Sequence, residues 1–123
     1  MSRLAILALG LALALPAAPL RAELELVMAE EAGCPWCARW TAEIGPVYPK
    51  TDEGRAAPLR RIDIRDLPGD LDLDRRVVFT PTFLLVDDGT EIGRIEGYPG
   101  EDFFWGLLGR LIEEASVTAA PQG

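Results

Sequence analysis

Two cysteines, Cys34 and Cys37, are the residues of this 123-residue sequence with the clearest capacity for chemistry. Pro35 and Trp36 separate them, and at the start of a helix this spacing allows the two sulfur atoms to form a disulfide. There the first sulfur would lie against backbone N–H groups that have no partner within the helix. Those groups stabilise a thiolate, the form of cysteine that attacks a disulfide. The pattern therefore predicts thiol–disulfide exchange, with Cys34 as nucleophile and Cys37 resolving the mixed disulfide.

The composition excludes several other kinds of site. The sequence has no histidine, so it lacks a histidine base for a Ser-His-Asp or Cys-His nucleophile and a histidine metal ligand. A structural zinc site would need two further Cys or His ligands, and c-type haem attachment would need histidine in place of Ala38. We therefore expect no metal and no cofactor. An inert structural disulfide remains the alternative, although so small a loop contributes little stabilisation through chain entropy.

The N-terminus has the features of a secretory signal peptide. A positively charged residue precedes an apolar run at 4–15, which is shorter than the roughly 20 residues that span a bilayer. Prolines follow this run, and cleavage is expected after Ala22 or after Ala18. We predict a signal peptide at 1–22 and one domain at 23–123, exported to the periplasm, where disulfides form and persist. An uncleaved membrane anchor is the alternative.

The net charge of the chain limits the kinds of partner that it can bind. The formal net charge is −8, and it becomes more negative once residues 1–22, which contain two arginines and no acid, are removed. A strongly acidic protein does not suit phosphate backbones or anionic membranes, because both are bound through clustered Lys and Arg. We expect no nucleic-acid partner. The remaining chain is long enough for one modest core without a dimerisation domain, which favours a monomer.

Hydrophobic patterning predicts the elements that position the cysteines. Strand, helix and strand come first, which implies a parallel pair with a right-handed crossover. A hairpin with an Asp-Gly turn and an amphipathic helix follow. The predicted elements are strands at 24–29, 59–64, 82–86 and 91–96, helices at 34–44 and 101–114, a solvated loop with a helical turn at 49–58, a loop with a short helix near 71–75, and a frayed tail at 117–123.

Thr80-Pro81-Thr82 is the second motif of interest. A proline at the start of a strand does not interrupt the hydrogen-bond ladder. If the Thr80–Pro81 bond is cis, it turns the backbone of Thr80 toward Cys34, where that backbone can pair with an extended partner segment. The alternative is an ordinary trans proline, since cis is found in only about 5–6% of X-Pro bonds in folded proteins.

The order of these motifs resembles the thioredoxin fold across residues 24–115. The predicted fold class is therefore α/β, a minimal thioredoxin-like β-α-β then β-hairpin-α arrangement with a mixed four-stranded sheet flanked by helices. More narrowly, the sequence is similar to the SoxS family, exported thioredoxin-like proteins of bacterial sulfur-oxidation (Sox) gene clusters. The segments that carry this similarity are 33–37, 43–46, 48–50, 79–83 and 97–100.

The resemblance implies a periplasmic thiol–disulfide oxidoreductase, a reductant that keeps the thiosulfate-oxidising carrier complex SoxYZ active, with electrons from a membrane thiol transporter. The partner would contact Trp36, Thr80, Pro81 and Tyr98; packing is the alternative role for Trp36 and Tyr98. Two other functions stay open. One is an oxidant or isomerase of exported proteins, and the other is a non-catalytic redox-sensing module that binds a partner.

One position departs from the thioredoxin pattern. Thioredoxins usually place a buried Asp six residues before the first cysteine, where it relays a proton for the resolving thiol. This sequence has Met28 there. Glu30 and Glu31 lie closer to the motif and can take over the relay, or they can be solvated loop carboxylates.

Overall fold

The computed structural model describes residues 13–16 and 23–119, and residues 13–16 have no regular secondary structure. The predicted signal peptide at 1–22 and its cleavage positions therefore lie largely outside the described residues. Within the two described ranges, no helix combines the length and the apolar character needed to cross a membrane.

The chain from residue 23 onward forms a mixed four-stranded sheet with helices packed against it. Strand order is β2-β1-β3-β4, with β1 and β2 parallel and the other neighbouring pairs antiparallel. This arrangement confirms the predicted thioredoxin-like α/β fold. The elements are β1 (Leu24–Glu30), α1 (Pro35–Glu43), a 3₁₀ turn (Tyr48–Lys50), α2 (Asp52–Ala56), β2 (Leu59–Asp63), β3 (Thr82–Asp87), β4 (Thr90–Glu96) and α3 (Glu101–Ala119).

Helix α1 begins at the cysteine pair. Cys34 is its N-cap residue, with an extended backbone, and Pro35 follows at the start of the helix. Proline is tolerated there because its missing N–H would have no partner within the helix. At the other end Ile44 is the C-cap, and its N–H donates to the carbonyl of Trp40 at 2.8 Å. The predicted helix at 34–44 is thus confirmed to within one residue at each end.

Helices α1 and α3 bury their apolar side chains against one face of the sheet. Trp40 is fully buried between them, with its ring centroid 5.2 Å from that of Phe83 and 5.7 Å from that of Phe104. Cys37 belongs to the same apolar cluster. The helix that carries the cysteines is therefore fixed to the sheet by aromatic packing.

The opposite face of the sheet is covered by an irregular segment, residues 64–79. Val77 of this segment is buried in a second cluster with Val27, Leu84 and Val86 of the central strands. Leu71 and Leu73 pack against the same cluster. The two faces of the sheet are thus covered by different kinds of structure.

The predicted short helix near 71–75 is wrong. Leu71 and Leu73 are partly buried whereas Asp72 is exposed, an alternation with the period of extended chain. The backbone N–H of Asp72 donates to Gly89 at 2.8 Å, and its carbonyl accepts from Glu91 at 2.9 Å. Because the β3–β4 hairpin takes up these backbone groups, they are not available for helical hydrogen bonds.

The hairpin and the last helix also compare closely with their predictions. Asp88 and Gly89 have φ values of 49° and 84°, and the two left-handed residues make the tight turn that the Asp-Gly pair predicts. Helix α3 extends to Ala119, five residues beyond the predicted end. The part of the predicted frayed tail at 117–119 is therefore helical, and residues 120–123 lie outside the described ranges.

Candidate active site

Cys34 and Cys37 form a disulfide at the first turn of α1, with their Cα atoms 5.3 Å apart. The backbone N–H of Cys37 points at the Sγ of Cys34, 3.1 Å away. This is the N-cap interaction in which a side chain accepts from an otherwise unpaired helical N–H, and it favours negative charge on that sulfur. Cys34 is half-buried, whereas Cys37 is only 5% exposed. The geometry therefore gives the two sulfurs different access to a partner.

The Thr80–Pro81 peptide bond is cis, as the motif predicts. The turn around it is held on both sides: the Thr82 hydroxyl donates to the carbonyl of Phe79 at 2.6 Å, and the N–H of Gly97 donates to the carbonyl of Pro81 at 2.7 Å. Pro81 is buried and Thr80 is half-buried. We call residues 78–81 the ledge.

Strand register brings the ledge and the cysteines to the same end of the sheet. β1 and β3 are antiparallel neighbours, with Ala29 opposite Thr82. Beyond this pair, β1 leads through a short turn to Cys34, and β3 is preceded directly by Pro81 and Thr80. Two motifs that are far apart in the sequence therefore border one surface.

Exposed apolar side chains occur on both segments of this surface. Trp36, between the cysteines, is 53% exposed, and the guanidinium of Arg39 lies 5.7 Å from its ring centroid. On the ledge, Val78 and Phe79 are more than half exposed. The sequence did not predict Val78 and Phe79 as site residues; the apolar run Val77-Val78-Phe79 directly before Thr-Pro was the available signal.

Tyr98 has a packing role in this structure. It is only 7% exposed, and its hydroxyl donates to Glu43 at 2.7 Å. Burial raises the pKa of the phenol, and the hydrogen bond to the Glu43 carboxylate raises it further. Of the four residues predicted to contact a partner, Tyr98 is therefore the one whose side chain is hydrogen-bonded to another side chain in the described structure.

Met28 replaces the expected buried carboxylate. Its side chain is fully buried in the cluster that contains Cys37. The Glu31 side chain is exposed. Its backbone carbonyl contacts the cysteine turn, where it accepts from the N–H of Cys34 at 3.2 Å.

Glu30, by contrast, is connected to the cysteine helix through Arg61. Arg61 donates to the Glu30 carboxylate and to the Thr41 hydroxyl, both at 2.7 Å. The Thr41 hydroxyl in turn donates to the carbonyl of Cys37 at 2.8 Å. Arg61 and Thr41 were not predicted as site residues, because this network joins three elements and has no local sequence pattern.

Comparison with known proteins agrees with this geometry. No protein-family model matches the chain, and no curated protein matches it. Among solved structures, the crystal structure of the periplasmic thioredoxin SoxS from Paracoccus pantotrophus, in its reduced form, is similar at a TM-score of 0.74 and 62% sequence identity. The match covers 76% of this chain and 99% of that one. The chain therefore belongs to the SoxS family of periplasmic thioredoxins and is a thiol–disulfide oxidoreductase.

Proposed function

We propose that the protein reduces a disulfide of an exported partner of the SoxYZ type and is itself re-reduced by a membrane thiol transporter. The observation that carries the proposal is the asymmetry of the cysteine pair: a half-buried Cys34 whose sulfur caps a helix, and a buried Cys37 one turn further in. Membership in the SoxS family supports this choice of partner.

The exchange takes place in two steps. The thiolate of reduced Cys34 attacks one sulfur of the partner disulfide, forms a mixed disulfide and releases the other partner sulfur as a thiolate. Cys37, as a thiolate, then attacks the sulfur of Cys34, closes the intramolecular disulfide and releases the second partner thiolate. Two electrons and two protons pass to the partner, which ends as a dithiol. The described structure, with its Cys34–Cys37 disulfide, corresponds to the oxidised product.

The partner is proposed to dock across Trp36 and the ledge. An extended segment paired with the backbone of Thr80 beside Pro81 would place its sulfur close to Cys34. Trp36 offers a half-exposed aromatic surface of the kind that anchors interfaces.

We assign the proton relay for Cys37 to Glu30. This carboxylate is linked to Cys37 through Arg61 and Thr41. Glu30→Gln is expected to change the pH profile of the reduction rate, with exposed Glu31→Gln as the matched control. An unchanged profile for Glu30→Gln would rule out the relay.

The proposal includes export directed by residues 1–22, which are then cleaved off. Export places the disulfide in an oxidising compartment. N-terminal sequencing of protein recovered from the periplasm tests it. An N-terminus at Glu23 or Pro19 is expected, and an intact Met1 would contradict cleavage.

The reduction potential of the Cys34–Cys37 pair tests the direction of electron flow. Potentials of proteins with this motif extend from about −270 mV for a reductant to about −120 mV for a strong oxidant. Equilibration with glutathione buffers should give a value near the reducing end. A value near the oxidising end would instead support an oxidant of exported proteins.

Insulin reduction with dithiothreitol tests enzymatic turnover. The wild-type protein should accelerate it, and Cys34→Ser should lower the rate to background because the remaining thiol, that of Cys37, is buried. A protein that changes redox state without accelerating insulin reduction would be a redox-sensing module. Cys37→Ala should trap the mixed disulfide, and failure to trap SoxYZ would remove that partner from the proposal.

A further inference from the structure

A buried ion pair lies on β4, outside the cysteine motif and the ledge. The side chains of Glu91 and Arg94 are 1% and 5% exposed. Two hydrogen bonds join them: Arg94 Nε donates to one carboxylate oxygen at 2.8 Å, and Nη2 donates to the other at 2.5 Å. Removing both charges from water is costly, and pairing alone offsets that cost only in part. Further hydrogen bonds are therefore expected at these two side chains.

Those contacts converge on three consecutive residues of the irregular segment. Arg94 Nη2 donates to the backbone carbonyl of Arg75 at 2.9 Å, and Nη1 donates to that of Arg76 at 3.2 Å. The Glu91 carboxylate accepts from the backbone N–H of Asp74 at 3.3 Å. The ion pair thus supplies hydrogen-bond partners to a stretch of backbone that lacks regular secondary structure.

This stretch leads directly into the ledge. Val77 follows it and is buried against the sheet, and Val78 and Phe79 come next with exposed side chains. The side chain of Arg75 also pairs with Glu96, which lies opposite Thr82 in the β3–β4 register. The chain from 74 to 82 is therefore attached to the sheet before and after the exposed residues 78–79.

We propose that Glu91 and Arg94 are positioning residues for the ledge, so that they determine how well a protein substrate docks beside Cys34. This inference rests on the proposed docking role of the ledge. A guanidinium and a carboxylate fixed in β4 can hold three adjacent backbone groups at once, which an apolar pair of the same size cannot do. Neither side chain contacts the cysteines, so the chemistry of the disulfide itself should not depend on them.

The double variant Glu91→Met/Arg94→Met separates positioning from stability. Replacing a buried ion pair by apolar side chains of similar volume is often neutral or stabilising, whereas removing one partner leaves a buried charge. We expect the double variant to unfold at the wild-type urea concentration but to show a KM for insulin raised about tenfold, which corresponds to a loss of about 1.4 kcal/mol in docking free energy. Its rate with the small disulfide 5,5′-dithiobis(2-nitrobenzoate), which needs no ledge, should be unchanged.

Arg60→Gln is the matched control. Arg60 also binds a residue of the irregular segment, Asp70, but through an exposed ion pair beside the Asp88-Gly89 turn, away from the ledge. Its KM for insulin should match the wild type. A wild-type KM in the double variant Glu91→Met/Arg94→Met would overturn the inference. Equal losses of activity with insulin and with the small disulfide would overturn it as well.

Arg94→Lys keeps the experiment decisive if the double variant Glu91→Met/Arg94→Met does not fold. Lysine retains the charge, but it cannot bind the carboxylate and two carbonyls in the same planar arrangement. Hydrogen exchange at amides 77–80 should rise in this variant while exchange in α1 does not, and equal exchange in both proteins would overturn the inference. Failure of the proposed function is recognised separately, because the wild-type protein would then reduce no protein disulfide.

Discussion

Two segments meet at the active site, and they are held by different kinds of contact. On the helix side, Cys34 caps the N–H of Cys37 and the Thr41 hydroxyl binds the Cys37 carbonyl, both within one turn. On the ledge side, the contacts of residues 74–76 reach side chains 17 to 21 residues further along the chain. The nucleophile's own surroundings thus form with the helix, whereas the ledge acquires its position only when β4 is in place.

The two faces of the sheet also differ, here in the size of the side chains that pack against them. Fully buried aromatic rings fill the space beneath α1 and α3, while the opposite cluster is built from smaller aliphatic residues beneath the irregular segment. Large aromatic side chains bury more apolar area and contribute more to stability. We therefore expect the helical face to dominate global stability and the irregular segment to control docking.

The largest effect should come from Trp40→Ala. Removing a fully buried ring that packs on Phe83 and Phe104 should lower the free energy of unfolding by about 3–5 kcal/mol. Urea denaturation measures this loss. Trp36→Ala is the matched control, because that ring is half exposed and its removal should change stability little. Equal losses for both variants would contradict the dominance of the helical face.

Val77→Ala should have a smaller and more local effect. Two buried methyl groups are removed from the irregular segment, which should cost about 1.5 kcal/mol. Hydrogen exchange should increase at amides 74–80, and the KM for insulin should rise. If exchange increased to the same extent throughout α1, the two sides of the site would not be independently held.

The hydrogen bond between Tyr98 and Glu43 gives a pH-dependent test of the helix side, because it joins α1 to a residue 55 positions further along the chain. Hydrogen bonds from Arg39 and Tyr98 lower the pKa of Glu43 below its usual value. The resulting stabilisation is present above the ordinary pKa of glutamate, about 4.3, and is lost as pH falls through the lowered value.

Glu43→Gln should therefore destabilise the protein at pH 7 and converge with the wild type as the solution becomes more acidic. Urea denaturation between pH 7 and pH 2 measures the difference. The same tie predicts that the absorbance change of Tyr98 ionisation appears above pH 10 in the folded protein, with Tyr98→Phe identifying the signal. A difference that persists unchanged at low pH would show that Glu43 acts through packing alone.

The smallest effect is expected for Arg60→Gln. Its ion pairs with Asp70 and Glu25 are solvent-accessible, and exposed pairs contribute little because water and salt screen them. Unfolding by urea should be indistinguishable from the wild type, also in high salt. A clear loss of stability would contradict the small contribution expected of exposed ion pairs.

Local signals made much of the fold predictable. Pro35 after a capping Cys34, the Asp88-Gly89 turn and the spaced apolar residues of α3 each act within a few residues, and all three elements occur where the sequence places them. The short helix near 71–75 failed for the opposite reason. Its backbone is held from outside the segment, because Asp72 is hydrogen-bonded to residues of the hairpin, and Leu71 and Leu73 alternate with acids at the spacing of extended chain.

The residues of the candidate site also differ in whether the sequence marks them. The redox pair and the cis bond before Pro81 are marked by short motifs that require particular residue types. Arg61, Glu91 and Arg94 carry no such mark, since their partners come from other elements. Tyr98 shows the converse case, because its sequence position beside a turn does not reveal that its hydroxyl is bound to Glu43.

The sequence by itself determined the chemistry of this protein: two cysteines at helix-start spacing, no histidine to support another nucleophile, and a Thr-Pro pair before a strand. Those properties depend on residue type and short spacing, which are fully present in the linear chain. Only the tertiary structure decided which carboxylate is linked to the backbone carbonyl of Cys37 and how the ledge is attached to β4. Burial and hydrogen bonds between distant segments exist only once the sheet has assembled and excluded water.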